Sequence, residues 1–193
     1  ELLYSSAKDM ASSLMDPPAL LASLARHMAE ALDVTSANIT SYNVANDSMI
    51  VVAEYLSEEA TPGEKHSDLG MEYLNSDYAT IIRSIAGGDV LVMQSDDADM
   101  TAAEREQFRK YEIQTMLFVP ILSHRRLLGT IELWESRRKR SFTYSEIQLA
   151  QAMAGHAAGI IENSTLFAQT RQQESELRAL LTVSRAVSSS LQL

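Results

Sequence analysis

The strongest evidence for a fold comes from Gln114–Phe167, here called the deciding stretch, which reads QTMLFVPILSHRRLLGTIELWESRRKRSFTYSEIQLAQAMAGHAAGIIENSTLF. Within it, two β-rich runs, Met116–Leu122 and Leu127–Trp134, are joined by the polar corner Ser123–Arg126. A basic turn leads from the second run into a segment that begins near Tyr144, and its apolar residues recur with the period of a helix. We expect the first part of this helix to pack on the sheet that the strands form.

The composition limits the classes of protein to which the chain can belong. Its 193 residues, 46% of them hydrophobic, suffice for one domain with helical extensions. The formal net charge of −10 disfavours nucleic acids and anionic membrane surfaces as partners. The lack of cysteine excludes disulfides, thiolate metal sites and cysteine nucleophiles. Because no apolar run reaches the length of a membrane span, we expect a soluble, cytoplasmic segment without membrane insertion.

Local patterns predict the elements that precede the deciding stretch. Apolar spacing indicates a helix over Leu2–Met15 and a second over Pro17–Leu32, which a capping Asp and two prolines open. The β-rich runs Ser36–Val44 and Met49–Leu56 flank the turn residues Asn46-Asp47 and predict a hairpin.

Shorter elements are predicted in the middle of the chain. A helix over Ser76–Ala86 ends at two glycines, and Val90–Met93 follows as a short strand. Thr101 and Glu104 have the spacing of a capping box, which predicts a helix from there to about Tyr111.

The last helix is predicted to continue to about Ser188 and to carry a dimer seam. Its apolar residues there are spaced alternately by three and four positions, as in coiled coils. The seam residues are Leu177, Leu180, Ser184 and Val187. We divide the chain into an N-terminal linker helix (1–15), a sensor-like domain (16–168) and a C-terminal linker or coiled-coil helix (169–193) that leads to a further module.

The two ends of the chain resemble each other. Glu1–Met15 and Arg178–Gln192 align at a constant offset, for example at Ser12-Ser13-Leu14 and Ser189-Ser190-Leu191. This similarity indicates tandem modules, with chance similarity between two amphipathic helices as the alternative. Since the first residue is Glu1 rather than Met, we expect a segment of a longer protein. If the two ends do represent tandem modules, we expect another such domain after Leu193.

The sequence contains no recognisable catalytic motif. The four histidines are scattered without metal-ligand spacing. The acidic run Asp96–Asp99 lacks the order of a calcium loop, and we interpret the basic run Arg137–Arg140 as a solvated hairpin tip. We therefore expect a protein that is not an enzyme and has no metal site.

The deciding stretch resembles the C-terminal half of a GAF domain, a small-molecule sensor module of signalling proteins. The matching marks are Thr115, Val119-Pro120, Gly129, Phe142-Thr143 and the helical run His156–Asn163. Over about Pro17 to Phe167, the resemblance implies a PAS-related α+β fold. Its antiparallel sheet would have about five or six strands, with helices on both faces and long linker helices at both termini.

The resemblance also implies which side chains face a ligand. Alternation along the strands separates an aliphatic face from one that carries polar and aromatic side chains, and the second suits a small-molecule cavity. Matching strand positions to the family, together with a lid helix over Leu74–Ile82, gives a set of lining residues. They are Asn38, Thr40, Tyr42, Leu74, Tyr78, Ile82, Met116, Phe118, Glu132 and Trp134.

Glu132 is the most informative residue of this set. A carboxylate in a cavity would bind an amine or guanidine-like group or pair with Arg83, and an unpaired one would have a raised pKa. The alternative is a Glu132 that is partly exposed at an open cleft. Trp134 and Tyr42 either line the cavity or fill it.

The chain also departs from several relatives in this family. Without cysteine it can neither attach a bilin covalently nor act as a methionine-sulfoxide reductase of the family's type. The signature of the cyclic-nucleotide-binding members has no counterpart here. We therefore expect no covalent cofactor and a non-covalent small ligand of unknown identity.

These observations lead to one main functional hypothesis. The chain would be a non-catalytic regulatory sensor of a signal-transduction protein, such as the sensor kinase of a two-component system or a cyclic-dinucleotide enzyme. Its partners would be a small molecule, a second copy bound through the terminal helices, and further domains of the parent chain. The alternative is a ligand-free module for dimerisation and signal transmission with a filled cavity.

Overall fold

The computed structural model describes residues 16–190, without the side chains of residues 167–169 and 179–190. The predicted helix over residues 1–15 lies outside the described residues. So do the side chains of three predicted seam residues, Leu180, Ser184 and Val187. The fourth, Leu177, is 59% exposed.

Helix α1 spans Pro17–Leu32, as predicted. The extended backbone of Asp16 precedes it, and Asp33 ends it in the left-handed region at φ 48°. Its buried side chains pack against the hairpin that follows. They are Leu21, Ala25, Met28, Ala29 and Leu32. The apolar spacing of this helix also predicts that Leu20 faces inward, but its side chain is exposed.

Six antiparallel strands form one sheet in the order β3-β2-β1-β6-β5-β4. The strands are β1 Ser36–Asn43, β2 Ser48–Leu56, β3 Glu72–Leu74, β4 Leu91–Gln94, β5 Thr115–Ser123 and β6 Arg126–Glu135. The α+β class and the strand number agree with the sequence-based expectation. The short strand β3 was not predicted, because three residues are too few to show alternation.

Four further helical elements complete the fold. They are a 3-10 helix Asn75–Tyr78, α2 Ala79–Ala86, α3 Ala102–Lys110 and α4 Tyr144–Ser190. The capping box of α3 forms as predicted, whereas the predicted helix over Ser76–Ala86 is divided between the 3-10 helix and α2. Within residues 16–190, no helix has the length and apolar character needed to span a bilayer.

The described residues divide into two compact units, one ending at Ile160 and the other beginning at Ile161. Helix α4 starts in the first unit, where it buries a stripe of small side chains. This stripe consists of Ala150, Ala154, Ala157 and Ala158.

The two faces of the sheet differ in character. One face carries buried aliphatic residues such as Ile39, Ile131 and Leu133. The other face belongs to an apolar cluster with α2 and α3, which includes Phe118 and Trp134. None of the described residues of α4 belongs to this cluster.

The basic run after β6 is not a solvated tip, and that interpretation was wrong for two of its residues. Arg137 pairs with the fully buried Glu135 at 2.7 Å and donates to the backbone oxygen of Asp33 at 2.8 Å. Arg140 donates to the oxygen of Leu32 at 2.7 Å. Both arginines therefore tie the end of α1 to the end of the sheet.

The central strands approach each other most closely at Gly129. A Cβ atom at this position would lie 1.9 Å from the carbonyl oxygen of Thr40 on β1. We expect Gly129→Ala to lower the free energy of unfolding by about 3 kcal/mol or more, because the backbone of a paired strand cannot move aside. Urea denaturation measures this loss.

Gly155→Ala is the matched control, because a Cβ there meets nothing within 4 Å. Since Gly155 lies in helix α4, alanine should stabilise by roughly 0.5 to 1 kcal/mol. Equal stability of the two variants would contradict the close approach of β1 and β6.

Candidate ligand cavity

A small cavity lies between the sheet and the helices α2 and α3. Its volume is about 30 Å³, which is room for about two water-sized groups. Most of its wall is apolar. The lining residues are Met49, Tyr73, Asn75, Tyr78, Ile81, Ile82, Ile85, Gln107, Phe118, Thr130 and Glu132.

Four residues of the predicted set line this cavity: Tyr78, Ile82, Phe118 and Glu132. Tyr42, Met116 and Trp134 lie in the surrounding apolar cluster and not on the cavity wall. Thr40 is buried beside the cavity, where its hydroxyl oxygen lies 2.7 Å from that of Thr130. Asn38 is buried opposite Glu132 on the neighbouring strand.

Leu74 does not line the cavity, so its predicted role was wrong. It lies on the edge strand β3 and is 50% exposed. Its neighbour Tyr73 lines the cavity instead. Adjacent side chains of a strand point in opposite directions, so only one of the two can face inward.

Several lining residues were not in the predicted set. Strand alternation could have identified Thr130, because it shares a strand face with Glu132. The register of the hairpin could have identified Met49, because it is paired with Tyr42. Tyr73 and Asn75 had no such signal, because they lie in and beside the unpredicted strand β3.

The helices α2 and α3 form the roof of the cavity. One buried carboxylate, Glu104, links the N-termini of these two helices. Its Oε1 accepts from the backbone N–H groups of Thr80 and Ile81 at 3.1 and 3.2 Å, at the start of α2. Its Oε2 accepts from the N–H of Thr101 at 2.7 Å, at the start of α3. A negative charge at two helix N-termini is favourable, because it pairs orphan donors and complements both helix dipoles.

A second acidic residue, Asp68, connects β3 to the end of α3. Its two carboxylate oxygens accept from the hydroxyls of Tyr73 at 2.8 Å and Tyr111 at 2.7 Å. The ring of Tyr111 also packs against Trp134, with centroids 5.1 Å apart. Burial and these contacts raise the pKa of Tyr73 well above its ordinary value. Asp68 thereby connects Tyr73, which lines the cavity, to Tyr111 at the end of α3.

Glu132 faces the cavity and is partly exposed there, and no ion pair among the described residues includes it. Its oxygens accept from the hydroxyl of Thr130 at 3.3 Å and the indole N–H of Trp134 at 3.4 Å, both long for hydrogen bonds. Desolvation by burial raises the pKa of Glu132 to about 7; the two donors lower it and the charge of Asp68 raises it further. The predicted pairing with Arg83 is not among the ion pairs of the described residues.

Among the residues that the structure describes, no group of three or more His, Asp or Glu side chains could hold a metal ion.

The sequence matches the family model of the GAF domain over residues 16–161. The chain belongs to the GAF domain family. GAF domains are sensor domains of signalling proteins, and the match covers the whole sheet and the start of α4. A search of curated protein sequences finds no significant match.

Solved GAF domains share this fold at low sequence identity. The blue-light-absorbing form of the PixJ GAF domain from Thermosynechococcus elongatus superposes with a TM-score of 0.67 at 18% identity, covering 84% of this chain and 94% of its own. A GAF domain/HD domain protein from Geobacter sulfurreducens gives a TM-score of 0.65 at 13% identity, covering 80% and 97%. A domain described as part of a two-component sensor histidine kinase from Sinorhizobium meliloti gives 0.58 at 19% identity, covering 78% and 93%.

The raised pKa of Glu132 makes the stability of this GAF domain depend on pH. The folded state binds the proton of Glu132 more tightly than the unfolded chain, so stability falls as pH rises from about 4.5 to about 7. Glu132→Gln removes this contribution. The free energy of unfolding of the variant relative to the wild type should therefore increase by roughly 2 to 3 kcal/mol between pH 4.5 and 7.5.

Urea denaturation at a series of pH values measures this difference, and taking the difference cancels the other titrating groups. Glu58→Gln is the control, because it makes the same charge change at an exposed loop position. A difference that stays constant over this pH range would show that Glu132 is not destabilised by burial.

Proposed function

We propose that this chain is a non-catalytic sensor domain that binds a small molecule in the cavity beneath α2 and α3. The observation that carries the proposal is the cavity itself, with one uncompensated carboxylate, Glu132, on an otherwise mostly apolar wall. Binding pockets typically combine apolar walls with a few convergent polar groups. The family membership of the chain supports a sensing role.

The proposed mechanism is a shift between two conformations. A ligand that binds one arrangement of the roof more tightly than another shifts the population towards it. The roof is hydrogen-bonded through Glu104 and Asp68, so its opening and closing is a discrete change. We propose that the change is transmitted through α4, which runs without interruption to Ser190, to dimeric linker helices and an output domain.

In this proposal, residues 16–168 form the sensor domain and residues 169–193 form the C-terminal linker. The proposed location of the protein is the cytoplasm. The output domain would be a histidine kinase or a cyclic-dinucleotide enzyme, as in the main hypothesis from the sequence.

The ligand-free transmission module remains the second candidate, because one observation favours it. The cavity, at about 30 Å³, is far smaller than typical ligand pockets, which measure about 300 to 1,000 Å³. Tyr73 and Tyr78 occupy much of the space beside it with an edge-to-face ring pair. A domain of this kind would transmit signals between neighbouring modules without binding a ligand.

Thermal denaturation with a metabolite library distinguishes the two candidates. A true ligand at about a hundred times its Kd stabilises the folded state by about 2.7 kcal/mol and raises the Tm by roughly 5 to 10 °C. Ile82→Phe, which places a larger, aromatic side chain in the cavity wall, should abolish this rise. Val44→Phe, a change at a residue that is 76% exposed, should preserve it. If no compound raises the Tm and native mass spectrometry finds no bound molecule, the transmission module is correct.

The proposed dimer has a separate test. Replacing both Leu180 and Val187 with Asp should give monomers in sedimentation, because two charges per helix would be desolvated at the seam. The control replaces Thr182 and Ser189 with Asp, since these positions have the same seven-residue spacing and lie away from the predicted seam. A wild-type chain that is monomeric at high concentration would contradict the seam.

A further inference from the structure

The polar groups on the cavity wall include two acceptors that lack adequate donors. The first is the carboxylate of Glu132, whose two donors are at 3.3 and 3.4 Å. Among the ion pairs of the described residues, none reaches this carboxylate. Its raised pKa has the same physical cause, since burial is not offset by a positive charge.

The second acceptor is the side-chain oxygen of Asn75. Asn75 lines the cavity and is only 7% exposed, and its Oδ1 has no hydrogen-bond partner. Its amide orientation is set by Asp47, whose Oδ1 accepts from the Asn75 Nδ2 at 2.8 Å. Because a carboxylate can only accept, the amide nitrogen must face Asp47 and the amide oxygen must point elsewhere.

The aromatic walls favour the same kind of guest. The rings of Tyr73 and Tyr78 meet edge to face at a centroid distance of 5.7 Å, and both line the cavity together with Phe118. Aromatic faces attract cations through the negative potential of the ring. A cavity that is lined by aromatic rings and an uncompensated carboxylate is electrostatically suited to a positive charge.

We propose that the ligand of this cavity is a small organic cation with N–H donors, a protonated amine or amidine that pairs with Glu132 and donates to the Oδ1 of Asn75. This inference rests on the proposed sensing function and specifies its ligand class. A neutral or anionic guest leaves the carboxylate uncompensated, and a buried polar group without a partner costs binding affinity. The same holds for water, which supplies donors but no charge.

The size of the cavity limits the cation. The volume of about 30 Å³ accommodates a group of roughly two heavy atoms, such as methylammonium. A larger amine requires the roof to move. The roof bonds of Glu104 and Asp68 would then respond to ligand size.

The test compares acetamidinium with acetamide, a neutral molecule of the same planar shape, at ionic strength matched with sodium chloride. Methylammonium is the smaller cationic probe. Methyl NMR of Ile82 and Ile85 locates binding in the cavity, which separates it from attraction to the acidic surface of the chain. We expect acetamidinium or methylammonium to shift these methyl signals and to bind at least about tenfold more tightly than acetamide.

Glu132→Gln should remove this preference while keeping the fold, because glutamine has the same shape and lacks the charge that desolvation disfavours. Glu58→Gln, with the same change in net charge at an exposed position, should retain the preference. Binding that survives in Glu132→Gln would overturn the proposal.

The remaining outcomes separate this inference from the sensing function. Equal binding of acetamide in the cavity, or a neutral library compound that Ile82→Phe displaces, overturns the ligand class and leaves the sensor proposal intact. If neither cation shifts the methyl signals, the ligand class is also wrong. The sensor proposal itself fails only when the metabolite library contains no stabilising compound and native mass spectrometry finds no bound molecule.

Discussion

The pairing of β1 with β6 is the constraint on which both faces of the sheet depend. Asn38 lies opposite Glu132 in this register, and Gly129 lacks a Cβ where the carbonyl oxygen of Thr40 occupies the space. Because neighbouring side chains of a strand point to opposite faces, the register sends Ile131 to the aliphatic face and Glu132 to the cavity face. A slip of one residue would exchange the two sets and bury a carboxylate among aliphatic side chains.

The roof of the cavity is held by acidic side chains that accept directional hydrogen bonds. Glu104 binds backbone N–H groups at the start of α2 and of α3, and Asp68 binds the hydroxyls of Tyr73 and Tyr111. Bonds of this kind are lost abruptly with distance, so the roof is expected to move between distinct arrangements rather than to deform gradually. A ligand that opens the roof must offset the loss of these bonds.

The cavity combines two properties that favour opposite functions. Its small volume and packed aromatic rings favour a filled core, as in a module that only transmits signals. The carboxylate of Glu132 and the unpartnered oxygen of Asn75 are unfavourable in such a core, because desolvation of each is poorly compensated. A ligand that supplies the missing donors would compensate these polar groups. Their presence in the cavity therefore favours the sensing function.

The amino-acid sequence predicted the elements whose signals are local, such as α1, the hairpin and the capping box at Thr101. It also determined that Glu132 shares a strand face with other cavity residues, because alternation needs no distant contact. The orientation of Tyr73 towards the cavity, rather than of Leu74, is seen only in the folded structure. The same is true of the ion pairs of Arg137 with residues far away in sequence. Short edge strands and ion pairs take their geometry from contacts between segments that are distant in sequence. Such contacts leave no signal in the local residue pattern, because they form only on folding.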